Sequence, residues 1–304
     1  MSHLIFSRST TNSELSINGI EQRAPAVFAD TVKNTLSPRY AQLRTADVLP
    51  IMSDYGFVPV QAAQKNSRKA NPLHTQHMVA FAHRDTLVDT YSADAQRGEI
   101  VLYNSHDGTG SIRMFAGCYR LICSNGVIAG EGYDARLYHS KANVNSFEQM
   151  LAQTVERLPA LMDRIQQMKS KEMSHLAQME LAVRAAQTRW AWTTERWAWT
   201  TEHASLMVQN MFDDVKPTKG SFATGHTVSG LLRVQREADA YANSWVVFNR
   251  IQENIIRGGA MIKSFSERNA DGIYRKSRPV NSVTENVRVN RELWNAAEQV
   301  LQLA

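Results

Sequence analysis

"GEIVLYNSHDGTGSIRMFAG", residues 98–117, decides the fold, because it reads as two strands and the bend between them. The apolar run 98–104 is followed by Asp107-Gly108 and Thr109-Gly110 and then by an alternating run, with Ile112, Met114 and Ala116 on one side and Arg113 and Phe115 on the other. Glycine supplies the positive backbone angle that a tight turn demands, and aspartate bonds its own main chain there. Ser105, His106 and Asp107 are the residue types of a hydrolase triad. Such a triad works by convergence in space, however, and consecutive residues of an extended chain point to opposite faces. The stretch is therefore read as a structural turn. A ligand-contacting loop is the second reading, since glycine lets a phosphate approach the backbone.

The same two-residue period continues upstream in "FVPVQAAQ" (57–64) and "TQHMVAFAHR" (75–84). Four short apolar runs separated by polar turns predict an antiparallel sheet of about four strands. Between the first two, "KNSRKANPLH" carries Lys65, Arg68 and Lys69 at a hairpin tip. Further upstream, residues 1–22 read as a polar, poorly ordered arm, and "PAVFADTVKN" (25–34) as a short helix. Thr45 looks like the N-cap of a helix through "ADVLPIMSDYG", which Gly56 ends and in which Pro50 is an obstacle.

Downstream the period lengthens. Phe147, Leu151, Val155, Leu158, Met162 and Ile165 make one apolar stripe behind a Ser146/Gln149 capping box, predicting a helical region over 145–211 with a kink at Pro159. Inside it "RWAWTTE" occurs twice in tandem, at 189–195 and 196–202. Seven residues are nearly two helical turns, so a helix absorbs such an insertion where a strand would reverse its faces. Trp190 and Trp197 share one helical face, and Trp192 and Trp199 lie nearly opposite, which suggests a subunit contact. "SWVVFNRIQENIIRGG" (244–259) predicts an amphipathic helix stopped by Gly258 and Gly259. "SERNADGIYRKSRPVNS" reads as a basic loop or hairpin with Tyr274 among Arg275, Lys276 and Arg278, and a last helix runs over about 290–302. The expected class is α+β: an arm (1–22), a core of antiparallel sheet and long helix (23–211), and a helical, basic C-terminal region (212–304).

At 304 residues with 43% hydrophobic content the chain can bury a substantial core without disulfides, so Cys118 and Cys123 are read as free thiols. No apolar run approaches the roughly 20 residues that span a bilayer. The first residues lack the features of an export signal, and a cytoplasmic location is expected. The net charge of +5 permits a nucleic-acid partner only if the cations gather on one surface. His74, His77 and His83 lack metal-ligand spacing, and phosphate-loop, dinucleotide and metalloprotease patterns are missing, so neither cofactor, metal nor catalytic step is expected. "SIRMFAGCYRLICSNG" (111–126) combines Arg113 and Arg120 with Phe115 and Tyr119. Cations mixed with rings can track a single-stranded backbone while stacking its bases, although an alternating strand is also ordinary sheet surface.

The pieces "SPRYAQLRT" with "GFVPVQA", "LYNSHDGTGSIRMFAGCYRLICSNG", "NRIQENIIRGG" and "VNRELWNAAE" occur in order along the chain, which thereby resembles the YfjQ/YafZ-type family of uncharacterised prophage and plasmid proteins. The resemblance implies a mobile-element protein acting on DNA or on host defence. The tandem heptad is not part of the pattern. The element order is also similar to the core of phage-type single-strand annealing proteins, a fold-level analogy. It implies homo-oligomeric rings or filaments in which Arg113, Arg120, Lys65, Arg68, Lys69 and Lys141 contact phosphates, Phe115 and Tyr119 meet bases, and His106, Asp107 and Asn125 shape the bordering loops. The function expected is single-stranded DNA binding, with strand annealing in recombination; the alternative is a regulatory or anti-defence protein that binds a host protein.

Overall fold

The computed structural model describes residues 13–31, 36–65, 71–87, 96–120, 125–130, 132–190, 232, 234, 239–240, 243–258, 261–266 and 269–302. The chain forms two compact units: Met1–Arg164 with Asn281–Val287, and Ile165–Val280 with Arg288–Ala304. The division falls within a helix.

The first unit is built on an antiparallel sheet. Its strands are β1 (Phe57–Gln64), β2 (His77–His83), β3 (Gln96–Asn104), β4 (Ile112–Arg120), β5 (Asn125–Ile128) and β6 (Asp134–Leu137). The first four follow one another in spatial order, and both β5 and β6 pair with β4, at its opposite ends. The four predicted strands are all present. The two additional ones are four residues each, too short for a two-residue period to stand out.

Both faces of the sheet are covered. Phe81, Ile100, Leu102, Ile112 and Met114 pack on one side with α2 (Thr45–Asp54) and with Phe147, Met150 and Leu151 of α3 (Val144–Ser170). On the other side Ala80, Val101, Tyr103, Phe115 and Ile128 pack with Val283 and Val287, from the start of α6 (Val283–Leu301). Alternation therefore sorts these strands into two buried faces, not one buried and one wet.

Several local expectations are corrected. Within the segment read as a disordered arm, α1 (Ile17–Arg23) is capped by Ser16, whose hydroxyl accepts from Gly19 N, and Ile20 is fully buried. One anchoring side chain among exposed neighbours leaves no stripe to read; residues 1–12 lie outside the described residues. "PAVF" forms a single 3-10 turn, Pro25–Phe28, because Ala29 is extended. Thr45 is the first residue of α2 rather than its cap, which is Arg44. The cap of α3 is Asn143, whose Oδ1 accepts from Ser146 N at 2.9 Å, so the Ser146 box is not used.

In the second unit the predicted long helix is broken. Lys171 O accepts from Ser244 N, and Glu172 bridges to Asn243, so extended backbone pairing replaces helix at 171–172 before α4 (His175–Trp190) begins. Residues 191–230, with Trp192, Trp197 and Trp199, lie outside the described residues, as does the side chain of Trp190. The next helix, α5 (Ser244–Ile256), is buried along all thirteen residues, so its expected wet face is absent. Gln252 donates to Asn290 Oδ1 at 2.6 Å, and Phe248 sits between Trp245 and Trp294. Strands β7 (Met261–Ser266) and β8 (Asn269–Lys276) form a separate two-stranded antiparallel sheet; the stretch 266–282, read as a basic loop or hairpin, supplies β8, whereas β7 lies before it. The last helix, α6, begins at 283, well before 290. No helix among the described residues is long and apolar enough to cross a membrane.

Candidate functional site

The antiparallel register gathers the informative residues at one end of the sheet. Gln64 pairs with His77, His77 with Asn104, and Ile112 with Leu137. The end of β1, the start of β2, the Asn104–Ser111 turn and the exit from β6 therefore lie together. The turn forms as expected: Gly108 has φ of 77°, and Asp107 Oδ1 accepts from Thr109 N at 2.9 Å and Thr109 Oγ1 at 2.6 Å. A side chain at Gly108 would also collide with Leu36. Gln76 Nε2 donates to Thr109 Oγ1 at 3.1 Å, Thr284 Oγ1 donates to Gln76 Oε1, and Tyr103 reaches Thr284. These bonds tie the bend to the first turn of α6.

Behind the turn lies a buried polar cluster. Asn104 Nδ2 donates to Leu43 O and Thr45 Oγ1, and Thr45 Oγ1 lies 2.7 Å from His77 Nε2, while His77 Nδ1 lies 3.0 Å from Thr75 O. A carbonyl only accepts, so His77 Nδ1 carries the proton and Nε2 accepts from the threonine hydroxyl. A neutral imidazole results. Burial depresses its pKa to about 4. His106, also fully buried, lies with its ring 5.1 Å from that of His77. Neither of its ring nitrogens has a hydrogen-bond partner among the described residues, and burial together with His77, His139 and His74 depresses its pKa to about 3. His139 stacks on Tyr40 at 4.5 Å and is also held low by burial. Tyr40 donates to Ser105 O, and burial raises its phenol. Among the described residues no group of His, Cys, Asp or Glu is arranged to hold a metal ion.

The predicted nucleotide face is not a face. Phe115, Tyr119 and Arg120 are all buried: Phe115 lies beneath Val283 and Val287, and Tyr119 sits under the Arg97 guanidinium at 5.2 Å. Arg113 is half-buried and paired with Asp134 at 2.9 Å, with its guanidinium over Phe115. Arg97 itself forms a buried ion pair with Glu99 at 2.8 Å. His106 is likewise internal. Arg113 and Phe115, at i, i+2 spacing, thus stack on one another, with Val283 and Val287 covering the ring. Arg68, Lys69 and the side chain of Asn125 lie outside the described residues.

Lys65 and Lys141, by contrast, are exposed on the turn-bearing end. Lys65 lies near enough to Asp107 to help the hydrogen bonds from Thr109 hold that carboxyl below its usual range, against the upward effect of burial. Next to Lys141 are residues that the sequence reading passed over. Tyr138 is 59% exposed, and the exposed Arg136 guanidinium sits 5.8 Å from its ring centroid. Ala41 N donates to His139 O, which brings the exposed Arg39 to the same rim. The signal was present in "DARLYHSK" (134–141), where Arg136 and Tyr138 alternate with Ala135 and Leu137. Its short strand hid it.

Comparison with known proteins places this arrangement in a family. Residues 33–294 match a family described as "Domain of unknown function (DUF932)". The UPF0380 proteins YafZ and YfjQ of Escherichia coli (strain K12) are each 30% identical over 283 residues, covering 91% of this chain and 88% of each relative. No solved structure matches the chain. The sheet, its latched turn and its rim of cations are therefore those of a chain that belongs to the DUF932 family, alongside the UPF0380 proteins.

Proposed function

We propose that this protein binds single-stranded DNA across the turn-bearing end of its sheet, with Tyr138 as a stacking platform and Arg136, Lys141, Arg39 and Lys65 as phosphate contacts. The observation that carries this reading is Tyr138 itself, a ring standing 59% exposed with a guanidinium against it and a lysine three residues on. Large rings are usually covered, and a ring left open beside cations is what a sequence-tolerant strand binder uses. Binding of this kind needs no metal, nucleotide or covalent step.

Fluorescence anisotropy on a labelled oligothymidylate tests it. Stacking is worth about 1–3 kcal/mol per base. Tyr138→Ala is therefore expected to weaken binding roughly 5- to 150-fold. Arg136→Ala with Lys141→Ala should lower the salt slope by about 1.4, at roughly 0.7 per phosphate on single strands. Folded variants that bind as the parent does would reject this site. In the same reading, annealing follows when copies assemble on one strand and hold bases splayed for a second. Mass measurement with and without oligonucleotide tests that step: a monomer at every ratio would remove annealing and leave binding.

A further inference from the structure

The β7–β8 ribbon lies outside the site just described, and nothing in the proposed single-strand contact uses it. The described residues 261–266 and 269–278 contain Lys263, Arg275, Lys276 and Arg278 against only Asp271, so a small part of the chain carries much of its net +5. These cations sit on a defined scaffold. β7 and β8 pair antiparallel, with Met261 opposite Lys276, Ile262 opposite Arg275 and Lys263 opposite Tyr274, in a two-stranded sheet of their own.

Its base is pinned. Val280 N donates to Ile256 O at 2.8 Å, closing the chain across the neck. Gly258, with φ of 74°, brings its backbone so close to Ser277, Arg278 and Pro279 that an added Cβ would lie 2.6–2.8 Å from their main-chain atoms. Beyond that neck the six residues of β7 and the eight of β8 extend about 20–27 Å at ~3.3 Å per residue. The major groove of duplex DNA, about 12 Å wide, admits a two-stranded ribbon. Isolated hairpins are marginal in water, so a basic ribbon built outside the main sheet gains its support from the neck.

We infer that the β7–β8 ribbon is a second nucleic-acid contact, one that lays its basic hairpin along double-stranded DNA. The partner is chosen by charge: a net positive ribbon complements a polyanion and repels a basic surface. The inference stands independently of the Tyr138 site, and the two are separable. The full-length protein is titrated into labelled oligothymidylate and into a random-sequence duplex of about 20 base pairs, at several salt concentrations. Lys263→Glu with Lys276→Glu, which the register places on one face of the ribbon, is expected to weaken duplex binding at least tenfold and to lower the duplex salt slope by about 1.8, at roughly 0.9 per phosphate, with unchanged circular dichroism. Arg278→Glu, at the exposed foot of the ribbon, should weaken it in the same direction without touching the paired strands. Tyr138→Ala should leave duplex affinity within twofold. Duplex binding that is absent in the parent, or that survives both ribbon variants, would overturn the inference whatever happens on the single strand.

Discussion

His106 and His77 show how much one residue type depends on its surroundings. Both are buried and neutral, with pKa values pushed to about 3 and about 4, below the roughly 6.5 of an unfolded chain. Between those limits the unfolded chain binds more protons, so the stability they permit is present above about pH 6.5 and is lost as the pH falls. At pH 5 each contributes a loss of about 2 kcal/mol. The melting temperature should therefore drop steeply between pH 7 and 5, and His106→Leu, which removes a titrating group that has no hydrogen-bond partner among the described residues, should flatten that dependence. An equal slope in the folded variant would refute it. The sequence made these imidazoles visible but not their environment, because the residues that enclose them come from four separated segments. Phe115 is the opposite case. Alternation correctly placed it across from Met114, yet the cover over its face comes from Val283 and Val287, which no local pattern could announce. Phe115→Ala is accordingly expected to cost about 3–5 kcal/mol in chemical denaturation, as a core truncation does. Any lost DNA binding should then follow lost fold.

Elements were legible in proportion to their length. Strands β1 to β4, of seven to nine residues, and the helix stopped at Gly258 emerged from periodicity, whereas β5 and β6, at four residues each, did not. The break between α3 and α4 escaped for a different reason: the segment 171–174 lacks proline and glycine, and its departure from helix is imposed by backbone pairing with residues 243–244. Tertiary contacts override local preference there. The neck at Gly258 supplies the element-scale prediction. Only glycine combines that positive φ with the close backbone of 277–279, so Gly258→Ala should destabilise by several kcal/mol and lower the melting temperature clearly. Within the site, the turn chemistry of Asp107-Gly108 was readable because it is local. The Tyr138 rim was not, because it needs the sheet to bring together the exit of β6 and the segment before Thr45.

At the scale of the molecule, the tandem "RWAWTTE" directly follows most of α4, and its helical reading makes deletion of one copy a rotation of about 20 degrees. Deletion should preserve the circular dichroism spectrum and alter self-association; particles of identical mass with and without it would reject a subunit-contact role. Another whole-chain property follows from Thr284, which hydrogen-bonds Gln76 across 208 positions, next to Val283 and Val287 on the Phe115 face. During synthesis the sheet's own strands leave the ribosome early, with one apolar side still bare. It stays bare until Val283 and Val287 have been translated. The nascent protein thus has a prolonged interval in which Val101, Phe115 and Ile128 are open to chaperones or to other unfinished copies, and a premature stop before codon 283 should yield an aggregating product rather than a smaller working one.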